Sequence, residues 1–269
     1  MARRCAVSAL REAATEYLAM RRALGFKLTT QARHLMSFVG YCEARGAGHI
    51  TTELALSWAT QTTRGSSDEV YQSRRLMVVR IFARHLQALD PATEIPPDDL
   101  LPHHYRRIAP YLYSPREITA LMTAAARLAP PLRAATWQTL TGLLAVTGMR
   151  KSEACYLDRD QVDLGAGSLV ITDAKFGKAR QLFLHPTTVD ALRAYQQIRD
   201  RLCPSPAAPS FFVSTRGTRL DVHNITHTFA ALADDAGICA PPGRRRPRLH
   251  DLRHSFTVAS LLDFYPRRR

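Results

Sequence analysis

The segment that decides the fold is Thr147-Gly148-Met149-Arg150-Lys151-Ser152-Glu153-Ala154, in the middle of the chain. It closes an uncharged run, residues 134–149, which predicts a buried helix that ends near Gly148. Arg150 and Glu153 are three residues apart, so a helix would place them on one face. An arginine that emerges from an apolar scaffold beside a carboxylate suits a fixed anion-binding fork. The alternative is an ordinary salt bridge beside a helix.

The charge balance of the whole chain favours an anionic partner. Its 269 residues include 37 Lys and Arg against 23 Asp and Glu, a formal net charge of +14. Such an excess is typical of proteins that bind nucleic acid, although a merely basic soluble protein is the alternative. No stretch combines a basic face with a strongly apolar one, so a membrane partner is not expected.

The cysteines and the N-terminal residues indicate the cellular compartment in which the protein is expected. The five cysteines are scattered and never form a C-x-x-C pair, so neither a zinc site nor a disulfide framework is predicted. No apolar segment of signal-peptide length follows the charged start. The longest uncharged run is too short and too polar to span a bilayer. We therefore expect a cytoplasmic protein with reduced thiols.

The first third of the chain predicts a small helical domain. Apolar residues recur at three- and four-residue steps from Ala6 to about Leu89, which indicates four amphipathic helices. The last of these helices is rich in arginine, namely Arg74, Arg75, Arg80 and Arg84. Such a face is either a solvated surface or a contact for a DNA backbone. The predicted domain, residues 1–90, is accordingly a candidate DNA-binding domain.

The rest of the chain predicts a linker and a second, larger domain. Residues 91–113 are polar and rich in proline, as is typical of a linker. Residues 114–269 then predict several helices and one β-hairpin, whose strands are 168–172 and 181–184. The hairpin tip is basic, with Lys175 and Lys178. The fold class is therefore mainly α with a small β-hairpin or sheet (α+β).

The polar residues of this second domain suggest metal-free phosphoryl transfer. They are Arg150, Glu153, Lys175, His250 and Arg253. Two guanidiniums can hold the non-bridging oxygens of a phosphodiester, which gather charge during attack. A lysine on a hairpin tip can protonate the leaving oxygen, and a histidine can donate a hydrogen bond or move a proton. No carboxylate or His/Cys cluster suggests a metal, so neither a metal nor a cofactor is expected.

These motifs, in this order, carry a family resemblance. T-G-M-R-x-S-E-A, the hairpin lysine and L-H-D-L-R-H-S-F are similar to the motifs of the tyrosine recombinases, or phage integrases, which recombine DNA at specific sites. The resemblance covers almost the whole chain, because residues 6–89 resemble the family's SAM-like helical core-binding domain. It implies a tyrosine-recombinase catalytic domain in residues 114–269 and a mobile genetic element, such as a phage or transposon, as the source.

The resemblance also implies roles for individual residues. Arg150, Lys175, His250 and Arg253 match the family's catalytic residues, and Glu153 matches the acidic residue that supports the first arginine. Lys178 is a less favoured match for the hairpin lysine. As DNA contacts we add Lys178 and Arg245, the latter in the basic stretch before His250. Family members act on double-stranded DNA as tetramers, without cofactor or metal, through a covalent 3′-phosphotyrosine.

The sequence departs from the family pattern after the second cluster. The family continues with a Gly-His or Trp element and the nucleophilic tyrosine, whereas the thirteen residues after Phe256 contain neither a Gly-His pair nor a tyrosine other than Tyr265. We expect Tyr265 to be a structural aromatic residue. The catalytic domain is thus expected to be incomplete at its C-terminal end and not competent alone. The alternative function is a DNA-binding protein that occupies or regulates recombination sites without cutting them.

Overall fold

A computed structural model describes residues 2–61, 69–101, 109–172, 179–241 and 243–265, with side chains from residue 9 onward. The chain forms two compact units, Met1–Arg107 and Ile108–Arg269, called here the N-terminal and C-terminal units. The described residues are mostly helical with one small sheet, which confirms the predicted fold class. None of the helices in these ranges is long and apolar enough to cross a membrane.

The N-terminal unit contains the four predicted helices. They are α1 (Ala2–Ala23), α2 (Thr29–Glu43), α3 (Thr52–Thr60) and α4 (Glu69–Leu86). Their apolar faces enclose one core, in which Phe38 and Trp58 pack with ring centroids 5.3 Å apart. Thr51 begins α3 as an N-cap, because its side chain accepts a hydrogen bond from the Leu54 N–H at 3.2 Å.

The arginines predicted to form one basic face of α4 have two different environments. Arg74 and Arg84 are exposed, whereas Arg75 and Arg80 are buried. The Arg75 guanidinium lies 4.0 Å from the ring centroid of Trp58 and donates to the Gln61 carbonyl. The prediction of one exposed arginine face is therefore wrong, since half of its members pack inside the unit.

Part of the segment predicted to be a linker belongs to the N-terminal unit. Ile95, Leu100 and Leu101 pack against the core of that unit. The Arg80 Nε donates to the Pro96 carbonyl at 2.7 Å, and Nη2 of the same side chain donates to the Pro97 carbonyl. Residues 91–101 are therefore held by apolar packing and by a buried guanidinium, neither of which the proline-rich composition reveals.

The C-terminal unit begins with a well-defined helix start and continues with helices around a small sheet. Ser114 caps α5, and the Glu117 carboxylate accepts the Ser114 backbone N–H, which forms a capping box. The helices are α5 (Pro115–Ala126), α6 (Pro131–Thr147), α7 (Lys151–Tyr156), α8 (Pro186–Leu202), α9 (Asn224–Asp235) and α10 (Asp251–Phe264). Helix α6 is central and packs against α5, α8 and α10.

The sheet confirms the predicted hairpin. Its strands are β1 (Val162–Asp163), β2 (Ser168–Ile171) and β3 (Arg180–Phe183), in antiparallel order β1-β2-β3. The register pairs Ile171 with Arg180, so β3 begins opposite the end of β2. The hairpin tip, residues 173–178, lies outside the described residues, and with it Lys175 and Lys178.

Helix α6 ends in a way that fixes the segment after it. Gly148 has φ of +57°, in the left-handed region that favours glycine, and its N–H donates to the Leu144 carbonyl. Phe256 of α10 packs directly over the Gly148 Cα, where it leaves no room for a Cβ. The chain therefore turns sharply between α6 and α7, and α10 closes over the turn.

Candidate active site

Arg150 lies between the turn at Gly148 and the first residue of α7. Its backbone is extended, and it is the residue before the first turn of that short helix. The side chain is 36% exposed, so the guanidinium is anchored at one end and open to solvent at the other. The sequence places it there because the apolar α6 is buried and Gly148 permits the sharp exit.

Glu153 holds Arg150 in place through two hydrogen bonds. Its side chain is only 3% exposed. Its Oε1 accepts from the Arg150 Nη1 at 2.7 Å, and Oε2 accepts from the Arg150 backbone N–H at 2.7 Å. Burial alone raises the pKa of Glu153, but the hydrogen bonds from Arg150 and Arg180 outweigh it and lower the pKa below its ordinary value. Glu153 is therefore an ionised, buried support.

Arg180 is a member of this cluster that the sequence interpretation did not single out. It begins β3, and its Nη1 and Nη2 donate to the two oxygens of Glu153 at 3.2 and 2.7 Å. The signal that could have identified it is the alternation of β3, because Arg180 and Leu182 share one face and Leu182 packs on the core. One buried carboxylate therefore receives two guanidiniums.

Arg253 reaches the same place from α10. Its Nη1 donates to the Gly148 carbonyl, 105 residues away in sequence. Partial burial, and then the positive charge of Arg150, lower the pKa of Arg253. An arginine remains protonated at neutral pH despite such a shift. Two guanidiniums on a common scaffold suit an oxyanion with several acceptor oxygens.

His250 precedes α10 and lies within one turn of Arg253. Its side chain is exposed on one side. Partial burial of the ring, followed by the charges of His254 and Arg253, lowers the pKa of His250. The imidazole is accordingly neutral at pH 7, with one nitrogen able to donate and the other able to accept a proton.

The start of α10 is fixed by a buried network. Asp251, only 1% exposed, accepts from the Arg248 backbone N–H at 2.9 Å. Ser255 donates to the Asp251 carbonyl and accepts from the Tyr113 N–H. The Tyr113 hydroxyl donates to the Arg248 carbonyl. The residues that carry His250 and Arg253 are therefore rigidly held.

The structure brings together Arg150, Glu153 and Arg253, with His250 close by at the N-cap of the helix that carries Arg253. Lys175 and Lys178 lie outside the described residues. Arg245 is exposed, upstream of α10. Arg74 and Arg84 are exposed in the N-terminal unit. DNA contact by Arg74, Arg75, Arg80, Arg84, Lys178 and Arg245 stays a prediction, and the internal contacts of Arg75 and Arg80 disfavour it for those two.

Several tyrosines of the C-terminal unit have structural contacts. The Tyr195 hydroxyl is buried and lies 3.2 Å from both the Thr136 hydroxyl and the Val213 nitrogen. Tyr111 donates to Glu117. Tyr265 is exposed and follows the last residue of α10, twelve residues after Arg253. At 1.5 Å per helical residue, it lies about 18 Å from Arg253 along the helix axis.

Among the side chains that the structure describes, no group of three or more His, Cys, Asp or Glu residues could hold a metal ion.

Most of the chain is similar in sequence to known proteins. The family model described as the phage integrase family matches residues 112–261. A Sinorhizobium fredii protein that carries the name integrase/recombinase y4rB is 42% identical over 265 residues, which cover 96% of this chain and 84% of that protein.

Solved structures agree with the fold. The Tn1549 transposon integrase in complex with transposon right end DNA is similar with a TM-score of 0.61 and 15% identity, over 92% of this chain and 85% of that chain. The lambda integrase tetramer bound to a Holliday junction is similar with a TM-score of 0.58 and 18% identity, over 94% and 73% of the two chains. At such low identity these structures show the fold alone.

Proposed function

Because the chain belongs to the phage integrase family, we propose that it is a site-specific DNA recombinase that acts on a phosphodiester of double-stranded DNA. The observation that carries the proposal is the pair Arg150 and Arg253. Glu153 holds the first, and the Gly148 carbonyl, two residues before Arg150, holds the second. Two fixed guanidiniums with a neutral imidazole beside them match the charge that develops on a phosphodiester under attack.

The proposed roles follow from the geometry. Arg150 and Arg253 hold the non-bridging oxygens and stabilise their growing charge without a metal ion. His250 donates a hydrogen bond to the same phosphate or moves a proton, since its lowered pKa keeps it neutral at pH 7. Lys175 is assigned, from its place in the sequence, to protonate the leaving 5′-oxygen. No cofactor is required by this chemistry.

The proposed reaction also needs a tyrosine nucleophile. In the proposed reaction a tyrosine hydroxyl attacks phosphorus, the bond to the 5′-oxygen breaks, and a 3′-phosphotyrosine forms. Tyr265 is at the opposite end of α10 from Arg253, and the Tyr195 hydroxyl is buried in other contacts. We therefore assign phosphate binding and polarisation to residues 1–269, and no nucleophilic role to Tyr265.

A second function is favoured by the same observation about Tyr265. The chain could occupy recombination sites and regulate recombination without cutting DNA. The two functions are distinguished by incubating the protein with nicked duplexes from the DNA that flanks its gene. A covalent protein–DNA adduct that resists SDS would rule out the binding-only function, whereas binding without an adduct would support it.

Assembly and biological context are proposed by analogy. The lambda integrase is seen as a tetramer on a Holliday junction, and the Tn1549 protein is an integrase of a transposon. By analogy with these two proteins, this chain is expected to assemble as a tetramer on DNA and to serve a mobile genetic element. It is also expected to act in the cytoplasm. Gel-filtration light scattering with and without duplex DNA tests the assembly.

The phosphate fork is tested by substitution of Arg150. Arg150→Ala should weaken duplex binding and reduce the slope of log affinity against log salt by about 0.9, the contribution of one phosphate contact. Arg150→Lys should keep the slope, because the charge remains, yet bind less tightly, because one ammonium cannot replace a planar fork.

The matched control is Arg193→Ala. Arg193 is half-exposed on α8 and pairs with Asp190, so its removal changes the net charge equally. Fluorescence anisotropy with one duplex over a salt series gives the slope for the wild type, Arg150→Ala, Arg150→Lys and Arg193→Ala. Equal affinities for Arg150→Ala and Arg150→Lys, or equal slopes for Arg150→Ala and Arg193→Ala, would contradict the proposed fork.

A further inference from the structure

The Glu153 carboxylate has its full complement of hydrogen bonds. Each oxygen accepts two, one from Arg150 and one from Arg180, at distances from 2.7 to 3.2 Å. A carboxylate offers about four lone-pair sites. All of these sites are filled, and Glu153 is almost completely buried, so water does not compete for them.

The two arginines use this carboxylate differently. Arg180 contributes both terminal nitrogens, which is the bidentate arrangement that holds a guanidinium most firmly. Arg150 contributes only Nη1 of its guanidinium, together with its backbone N–H. Among the described residues, Nε and Nη2 of Arg150 have no hydrogen-bond partner, and the side chain is 36% exposed. Arg150 therefore has a terminal nitrogen, Nη2, and Nε free for an anion, whereas both terminal nitrogens of Arg180 donate to Glu153.

We infer that Arg180 is a positioning residue, which saturates Glu153 and so prevents Arg150 from folding its free donors onto that carboxylate. Without Arg180, two acceptor sites of a buried carboxylate would be left empty. An unpaired buried acceptor is unfavourable, and the nearest donors that could fill the sites belong to Arg150. The Arg150 fork would then turn away from the phosphate.

The position of Arg180 in the chain extends this role to the hairpin. Arg180 is the first residue of β3, two residues after the segment 173–178 that contains Lys175, and it pairs with Ile171 in the register. Its two hydrogen bonds to Glu153 therefore tie the exit of the hairpin to the base of α7. This inference rests on the proposed function, because it concerns how the same phosphate site is held in its active geometry.

The test follows Arg150 itself rather than overall activity. The Nε–Hε resonance of Arg150, identified by its loss in Arg150→Lys, is recorded by NMR in the intact chain and titrated with dimethyl phosphate, a simple phosphodiester. Arg180→Ala should shift this resonance in the ligand-free protein. It should also weaken dimethyl phosphate binding about tenfold, a typical coupling within one salt-bridge network.

Two further variants separate positioning from a general loss of structure. In a Glu153→Gln background the neutral amide no longer attracts Arg150, so adding Arg180→Ala should have little further effect on dimethyl phosphate binding. Arg180→Lys should rescue poorly, because one ammonium cannot occupy both oxygens as the fork does. Arg159→Ala is the control for removing an ion-paired arginine, since Arg159 pairs with Asp200 at 3.1 Å elsewhere in the same unit.

The outcomes are distinguishable from failure of the proposed function. If the Arg150 resonance of ligand-free Arg180→Ala matches that of the wild type, or Arg180→Lys restores full binding, the positioning role is overturned. If the wild-type protein does not bind dimethyl phosphate, the proposed phosphate site fails. The ligand-free comparison of the wild type with Arg180→Ala still decides the inference in that case.

Discussion

Gly148→Ala is expected to destabilise the C-terminal unit through two separate effects. Gly148 has a φ of +57°, and a left-handed backbone costs an alanine about 1 kcal/mol. An added Cβ would also lie 2.2 Å from Cδ1 of Phe256 and 2.9 Å from its Cγ. Displacing a packed ring of this kind costs roughly 1–3 kcal/mol. The free energy of unfolding should therefore fall by about 2–4 kcal/mol in total.

Gly237→Ala is the matched control, because it puts an alanine in a left-handed backbone without bringing its Cβ against a ring. Gly237 has a φ of +69° in the same unit, and a Cβ there would meet no atom within 4 Å. Its substitution should cost only about 1 kcal/mol. In a Phe256→Ala background the ring is gone, so Gly148→Ala should likewise add only about 1 kcal/mol to the loss caused by Phe256→Ala.

The assay is urea denaturation followed by the fluorescence of Trp137, which is buried in the C-terminal unit. A Trp58→Phe background removes the other tryptophan, which lies in the N-terminal unit. If Gly148→Ala and Gly237→Ala lower the free energy of unfolding equally, the Phe256 ring moves aside at no cost and the predicted contribution of its displacement is refuted. Because Arg253 donates to the Gly148 carbonyl, DNA binding should fall in Gly148→Ala and stay unchanged in Gly237→Ala.

Two other substitutions test the remaining contacts. Arg80→Ala should lower the free energy of unfolding of the N-terminal unit by about 2–3 kcal/mol, because a buried charged donor is lost from the Pro96 and Pro97 carbonyls. The exposed Arg74→Ala should change it by less than about 0.5 kcal/mol. Urea denaturation followed by the fluorescence of Trp58, in a Trp137→Phe background, measures both. The lowered pKa of His250 means that the unfolded chain takes up the proton more readily, so stability should fall as the pH drops from the ordinary pKa near 6.5 to the folded-state pKa. His250→Gln should flatten that part of a pH–stability curve, and an unchanged curve would show that the ring is not perturbed.

Local patterns in the sequence were sufficient for the helices, for the hairpin of β2 and β3 and for part of the site, but not for β1. Apolar spacing predicted the helices, and Ser114 with Pro115 predicted the start of α5, because capping chemistry depends only on neighbouring residues. The pairing of Arg150 with Glu153 was predictable for the same reason, since the two residues are only three positions apart; Arg150 lies at the N-cap of α7 rather than inside the helix.

Contacts between distant segments could not be read from the sequence. Arg180 meets Glu153 across 27 residues, and Arg253 meets Gly148 across 105. The alternation of β3 indicates which way Arg180 faces, but no local pattern identifies the partner of either arginine. The burial of Arg80 is similar, because its partners are backbone carbonyls of a segment that composition alone assigns to a linker. The sequence does not distinguish an arginine whose guanidinium faces solvent from one whose guanidinium donates to buried carbonyls.

The sharing of Glu153 by two arginines also constrains how this sequence can evolve. Replacing Glu153 by a neutral residue would leave Arg150 and Arg180 facing each other without a counter-charge, and replacing Arg180 alone would leave the carboxylate half-paired. Single substitutions at these positions are therefore disfavoured, whereas paired changes that preserve the charge balance are tolerated. Among descendants of this sequence, positions 153 and 180 are expected to change together, while position 150 stays arginine wherever phosphate binding is retained.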